Sequence, residues 1–235
     1  MRKVAIIQSN YIPWKGYFDI IHDVDIFVFL DDVQYTTRDW RNRNLIKTPH
    51  GLKWLTIPVN ATRNSKIYEV KIADKEWAKT HWRTIQHCYA RTTFFNQYKN
   101  FFEDFYLKKE WIYLSELNQT LIKEIAQKLL NIKTIFYDSR EIPTEGKKQD
   151  KLLSILKYLK ADIYISGPSA INYLKPDDFI KEGIKLIYKD YNGYPQYPQL
   201  FGNFEHNVSI IDTIFNTGEK APYYIWGWRN DIKED

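Results

Sequence analysis

Two adjacent carboxylates, Asp31 and Asp32, close the apolar run Ile26–Leu30, and three arginines crowd into the stretch Arg38-Asp39-Trp40-Arg41-Asn42-Arg43-Asn44 just after it. Carboxylates at a strand end can take a proton from an amine, or hold Mg²⁺ or Mn²⁺ through oxygen. Guanidinium groups bind phosphate in a bidentate fork and stack on rings. Arg41 and Arg43, with the Asn42 amide between them, can therefore neutralise a nucleotide diphosphate. The structural alternative is that one Asp caps a turn, the other pairs with a neighbouring arginine, and the segment is a salt-bridged surface loop.

A second group precedes the acidic pair. Gln8, Asn10 and Tyr11 follow the short apolar run Val4–Ile7, with Trp14 a few residues on. Amides there can hydrogen-bond a sugar hydroxyl, a base or a carbonyl oxygen, or simply cap a strand end. Further along, His81 lies on the apolar stripe Trp77, His81, Ile85, Cys88. It is a candidate base, although a lone histidine on such a face is more often a hydrogen-bonded core residue. Ser166-Gly167-Pro168-Ser169 is a tight turn whose backbone N–H groups can bind an anion or a carbonyl oxygen, and Asn172 and Tyr173 follow it. Gln196 belongs to a polar, aromatic loop able to cover a sugar. Asp212 sits within an apolar helix, where an acid needs a partner, and a salt bridge is expected.

The elements that must position these groups alternate. Val4–Ile7 and Ile26–Leu30 are short apolar runs expected as buried strands, with a short helix over Tyr17–His22 between them, which makes a βαβ unit. Leu52–Val59, Thr134–Tyr137, Asp162–Ser166 and Ile184–Tyr188 are the other expected strands. Helical spacing covers Glu76–Tyr89, Asn96–Tyr106, Tyr113–Leu130, Gln149–Leu159 and Val208–Phe215, the last with Asn207 or Ser209 as N-cap and Gly218 as a stop. Residues 229–235 are expected to fray. The predicted fold is α/β, a mostly parallel Rossmann-like sheet with a helical insertion at about 76–130, in one domain spanning 1–235. Parallel strands place ligands at their carboxyl ends, where both groups above fall.

Composition narrows the field. The 235 residues are 44% hydrophobic and 27% charged, which suits a folded globular chain rather than a disordered one. The net charge of +5 favours anionic ligands, nucleotides or RNA among them, but the basic residues are too diffuse to suggest a DNA-binding surface. A single cysteine, Cys88, rules out an internal disulfide and argues against a zinc site. No run approaches the roughly 18 apolar residues of a membrane span, and Val4–Ile7 is too short for a signal peptide, so a cytoplasmic location is expected. There is no P-loop for ATP.

The stretch from Ala5 to Val59, together with Trp77–Tyr89, ISGPSAINYL at 165–174 and YPQLF…NVSIIDTIFNTG at 197–218, resembles the WbqC-like protein family. In this chain Ser169-Ala170 stands where the family pattern has a glycine-rich pair. The resemblance implies a setting in bacterial O-antigen and capsule biosynthesis, beside amino-sugar genes. It also implies a transferase that attaches glycine or another small acyl group to a nucleotide-linked amino sugar. In that scheme Arg41 and Arg43 hold diphosphate, Gln8 and Asn10 stabilise an oxyanion, and Asp31, Asp32 or His81 takes the amine's proton. The resemblance leaves the acyl donor open; an aminoacyl-tRNA would suit the chain's basic charge. The segment Asn10–Tyr17 is also laid out like the start of nucleotidylyltransferases carrying a His-x-Gly-His motif, with Trp14 and Tyr17 in place of both histidines. Two alternatives stand beside the transferase: a non-catalytic nucleotide-sugar or RNA-binding module, and a glycosyltransferase using Mg²⁺ or Mn²⁺.

Overall fold

In the computed structural model, which describes residues 1–234, five parallel strands form the central sheet. They are β1 (Lys3–Ile7), β2 (Ile26–Phe29), β7 (Ile135–Asp138), β8 (Ile163–Ser166) and β9 (Lys185–Tyr188), and their spatial order is β7-β2-β1-β8-β9. Alternate residues divide between two cores because side chains along a strand point to opposite faces. Ala5, Phe27 and Phe29 pack with α1 (Lys15–His22) and α7 (Ile210–Thr217). Val4, Ile6, Ile26 and Val28 pack with α5 (Gln149–Tyr158) and α6 (Pro176–Lys181). The chain runs outward from β1 to β2 on one side and from β8 to β9 on the other. The order therefore reverses between β1 and β8, the place where open α/β sheets bind ligands.

Between β2 and β7 the chain carries the expected helical insertion at 76–130, preceded by strands that lie outside the central sheet. Those strands are an antiparallel hairpin of β3 (Arg43–Thr48) and β4 (Gly51–Thr56) and a small pair, β5 (Val59–Asn60) with β6 (Lys71–Ile72). The helices α2 (Trp77–Tyr89), α3 (Phe95–Glu103) and α4 (Leu114–Glu124) come after. The run at 52–59 is thus a strand, but not of the central sheet: Leu52 and Trp54 are exposed, as befits a hairpin with one wet face. Its partner β3 escapes a hydrophobicity scan because RNLIKT is half polar. The helix α7 starts at Ser209, whose hydroxyl accepts from Ile211 N, and stops at Gly218 at φ 58°. A short α8 (Ala221–Ile225) follows.

Two expectations fail here. Residues 229–234 are not irregular: the backbone is helical over Gly227–Glu234, and Arg229 is bonded to Asp19 of α1. Residue 235 lies outside the described residues. Asp212 has no salt bridge; its carboxylate accepts from Tyr89 and Tyr197 hydroxyls at 3.0 and 2.9 Å and from Gln199 at 2.8 Å. Three neutral donors satisfy the buried acid, and burial pushes its pKa up, with those donors and the Lys47 charge opposing. No helix among the described residues is long and apolar enough to cross a membrane.

Candidate functional site

The loop leaving β1 is bolted to the segment before β3. Trp40 O accepts from Tyr11 N at 3.0 Å, and the Asn44 amide donates to Tyr11 O and Ile12 O at 3.1 and 3.0 Å. This clamp holds Ile12, fully buried, at φ 36°, a conformation unfavourable for a β-branched residue and common where a site must be shaped. Arg41 donates to Asn10 Oδ1 and, at 3.3 Å, to Gln8 Oε1, with Asp39 at 3.6 Å on its other side. Beside this junction opens a cavity of about 280 Å³ lined by Asn10, Pro13, Trp14, Trp40, Asn44 and Asn207. Two indoles and three amides face the same space, at the carboxyl end of β1.

Several buried polar atoms without partners belong to residues next in the chain to the cavity's lining residues, though none of them lines it. Among the described residues, seven of the eight such side-chain atoms belong to Ser9, Lys15, Arg41, Asn42, Arg43, Asn118 and His206. Asn118 is tied to the loop by donating to Arg41 O. Orphaned groups are rare in folded proteins and call for a ligand, a water or an ion.

Trp14 is seated by a close approach. A Cβ on Gly16 would stand 2.3 and 2.6 Å from the indole's Cζ2 and Cε2, and Tyr191 and Tyr194 close the other side with centroids 5.2 and 6.0 Å away. Gly16→Ala is therefore expected to drive the indole from its seat and to lower stability by about 1–3 kcal/mol, the usual range for overpacking. Thermal melts and tryptophan emission check this; an unchanged spectrum and melting temperature would show that the ring has room to move.

Other predicted residues are distributed differently. Asp31 and Asp32 diverge. Asp31 is fully buried and accepts from Ser9 N at 2.8 Å, Ser115 Oγ at 2.5 Å and Gln119 Nε2 at 2.9 Å. Asp32 turns the other way, to Ser139 Oγ at 2.6 Å and Lys151. They share no coordination point, so the geometry lends the metal-dependent alternative no support. Gln119 continues to Asp138 at 2.8 Å, whose carboxyl sits below its ordinary range because Arg140 bonds it, against the opposing effect of burial. Asn42 is pinned by Ile57, while Arg43 lies over Trp54 at 4.3 Å. Gly167, Ser169, Asn172, Tyr173 and Gln196 do not line the cavity; the last four are exposed.

His81 belongs to the core. Its Nδ1 meets Tyr11 Oη at 2.8 Å, which in turn meets Tyr106 Oη at 2.7 Å. Burial pushes its pKa down to about 4. The unfolded chain therefore takes up a proton below the ordinary histidine value of 6.5 that the folded protein refuses until about pH 4, so stability falls as pH drops through that window. About 2 kcal/mol should be lost to this group between pH 7 and pH 5. Urea denaturation of the parent and a His81→Gln variant at both pH values checks it, since the variant should lose less on acidification.

Sequence reasoning missed Asn44 and Asn207 as cavity walls. Asn207 appeared only as a capping residue, because nothing in its local sequence indicates that α7 abuts the β1 loop.

A sequence model described as the WbqC-like protein family matches residues 8–224. An uncharacterised protein of Mycobacterium tuberculosis is 43% identical over 227 residues, covering 96% of this chain and 98% of the relative. No solved structure matches.

Proposed function

This chain belongs to the WbqC-like protein family, and from that premise we propose that it is a sugar-modifying transferase of bacterial surface-polysaccharide synthesis. In this reading it attaches glycine or another small acyl group to a nucleotide-linked amino sugar. The observation that carries the reading is the cavity lined by Trp14 and Trp40 with three amides. Indole faces suit the apolar face of a sugar ring, and amides suit its hydroxyls. Arg41, whose Nε is free, is the residue for the diphosphate; aminoacyl-tRNA is the donor that fits a basic chain.

A second reading, an RNA-binding module, draws on one feature. Trp40 and Trp54 are both more than two-fifths exposed and 5.4 Å apart, with Arg43 on Trp54, an arrangement on which bases can stack.

Thermal shift with UDP-glucosamine, UDP-glucose and bulk tRNA separates the two. At about 100 times its dissociation constant a ligand adds roughly 2.7 kcal/mol, or about 5–10 °C here. Trp40→Ala should weaken sugar-nucleotide binding by about tenfold. A shift with tRNA alone would sink the sugar assignment.

A further inference from the structure

Lys15 opens α1, yet it is only 1% exposed. Among the described residues its Nζ has no hydrogen-bond partner, and it lies 4.8, 5.4 and 5.5 Å from the ring centres of Tyr194, Tyr197 and Phe204. The carboxylates nearest it are committed elsewhere. Asp19, on the same helix, accepts from Tyr194 Oη at 2.5 Å and is paired with Lys189 and Arg229. Asp212, on α7, is held by Tyr89, Tyr197 and Gln199. The remaining side is the irregular segment 190–208, a length of loop that usually serves a site. There His206 stands edge-on to Phe204 at 4.6 Å, with Nδ1 also buried and unpartnered. Burial and then the Lys15 charge hold His206 below its ordinary pKa, with Glu205 opposing.

This aromatic box adjoins the sugar cavity. Lys15 directly follows Pro13 and Trp14, and His206 directly precedes Asn207, three residues that line the cavity. The groups first expected to accept a proton are all engaged: Asp31 by three donors, Asp32 by Lys151, His81 by Tyr11.

We propose that Lys15 is the proton acceptor of this site, its Nζ passing Trp14 to meet the amine of the acceptor sugar. The inference rests on the transferase reading above. The acceptor's ammonium gives one proton to the neutral Lys15 amine, which becomes the ammonium, and the sugar nitrogen uses the freed electron pair to bond to the acyl carbon of the aminoacyl ester. The ester C–O bond breaks, and the departing tRNA ribose oxygen takes the second proton that the nitrogen sheds as the amide forms. Burial pushes the Lys15 amine down to about 8, with Asp212 and Asp19 pulling it partly back, so a useful fraction is neutral near physiological pH.

Two measurements on the whole chain test this. Trace labelling with acetic anhydride across pH 6–11, read by peptide mass spectrometry, should show Lys15 becoming reactive with a midpoint near 8, below the surface lysines as a set. Absence of label at every pH would overturn the proposal, because an amine closed to so small a reagent cannot meet a substrate. Calorimetry with UDP-glucosamine and UDP-glucose at pH 6.5 and 9 gives the second. The parent should bind UDP-glucosamine roughly tenfold tighter at the higher pH, the effect of about one pKa unit of charge coupling. UDP-glucose should change little, and Lys15→Met should abolish the gain. A gain that persists in Lys15→Met overturns the role of Lys15 and leaves the transferase reading standing. Binding of neither nucleotide removes that reading and the proposal with it.

Discussion

Lys15→Met should be more stable than the parent protein at pH 7, by about 1–3 kcal/mol or roughly 3–10 °C in melting temperature. The amine falls from the ordinary lysine value of 10.5 to about 8 on folding, burial being the main cause. Between those values the unfolded chain binds a proton that the folded protein does not. Stability is therefore lost as pH falls from 10.5 to 8, and the whole loss, at most about 3 kcal/mol, persists below. Methionine has a similar length, fills the box of Tyr194, Tyr197 and Phe204, and carries no charge to desolvate. The cation–π contacts of the parent offset part of the loss, which sets the lower end of the range. The pH dependence is the distinguishing sign. The gap between variant and parent should narrow as pH rises from 8 towards 10.5, because the parent sheds its charge. Urea denaturation of both proteins at pH 7, 8.5 and 10 reads this directly. A methionine variant less stable than the parent at pH 7 would mean that Nζ finds a partner in solution. A gain in stability on removing a lysine is what a residue kept for function, and not for folding, leads one to expect.

Asp31→Ala is expected to move stability the other way, by about 3–5 kcal/mol, the cost of breaking a buried charged network. One carboxylate there accepts from Ser9 N on the β1 loop and from Ser115 and Gln119 on α4. It thus fastens the site loop to the inserted helices. Its loss takes the acceptor from the Ser9 N–H and the Ser115 hydroxyl, leaves Gln119 with Asp138 and Ser115, and frees the loop that carries Asn10. Asp31→Asn should cost less, since one oxygen remains, while its amide faces a donor. Denaturation midpoints for both variants decide the matter. If both fold with parental stability while UDP-glucosamine binding disappears, Asp31 acts on the ligand and not through the loop.

The central sheet was legible in the chain. Val4–Ile7, Ile26–Leu30 and Asp162–Ser166 are short apolar runs ended by polar residues, and burial on both faces leaves parallel strands no other pattern. The importance of the first loop was legible too: Gln8, Asn10, Trp14 and Arg41 come together, because their types and their place after a strand are local facts. The family relationship was also carried by local motifs such as NYIPWKGYF. What local sequence cannot carry is direction. Asp31 and Asp32 are adjacent, and adjacent side chains leave an extended backbone on opposite sides, so the pair reads as one site and folds as two. His81 reads as a candidate base, but α3 and the turn after it bring Tyr106 against the Tyr11 hydroxyl and close water out. Lys15 reads as one lysine among many. Its isolation is set by residues 194, 197, 204 and 206, which reach it only because α7 and the loop before it fold back over the start of α1. Types and spacing decided which elements form and where a ligand should lie. The long-range packing of the β3 hairpin, α4 and the 190–208 loop decided which charged groups are satisfied and, among the described residues, left Lys15 Nζ without a hydrogen-bond partner.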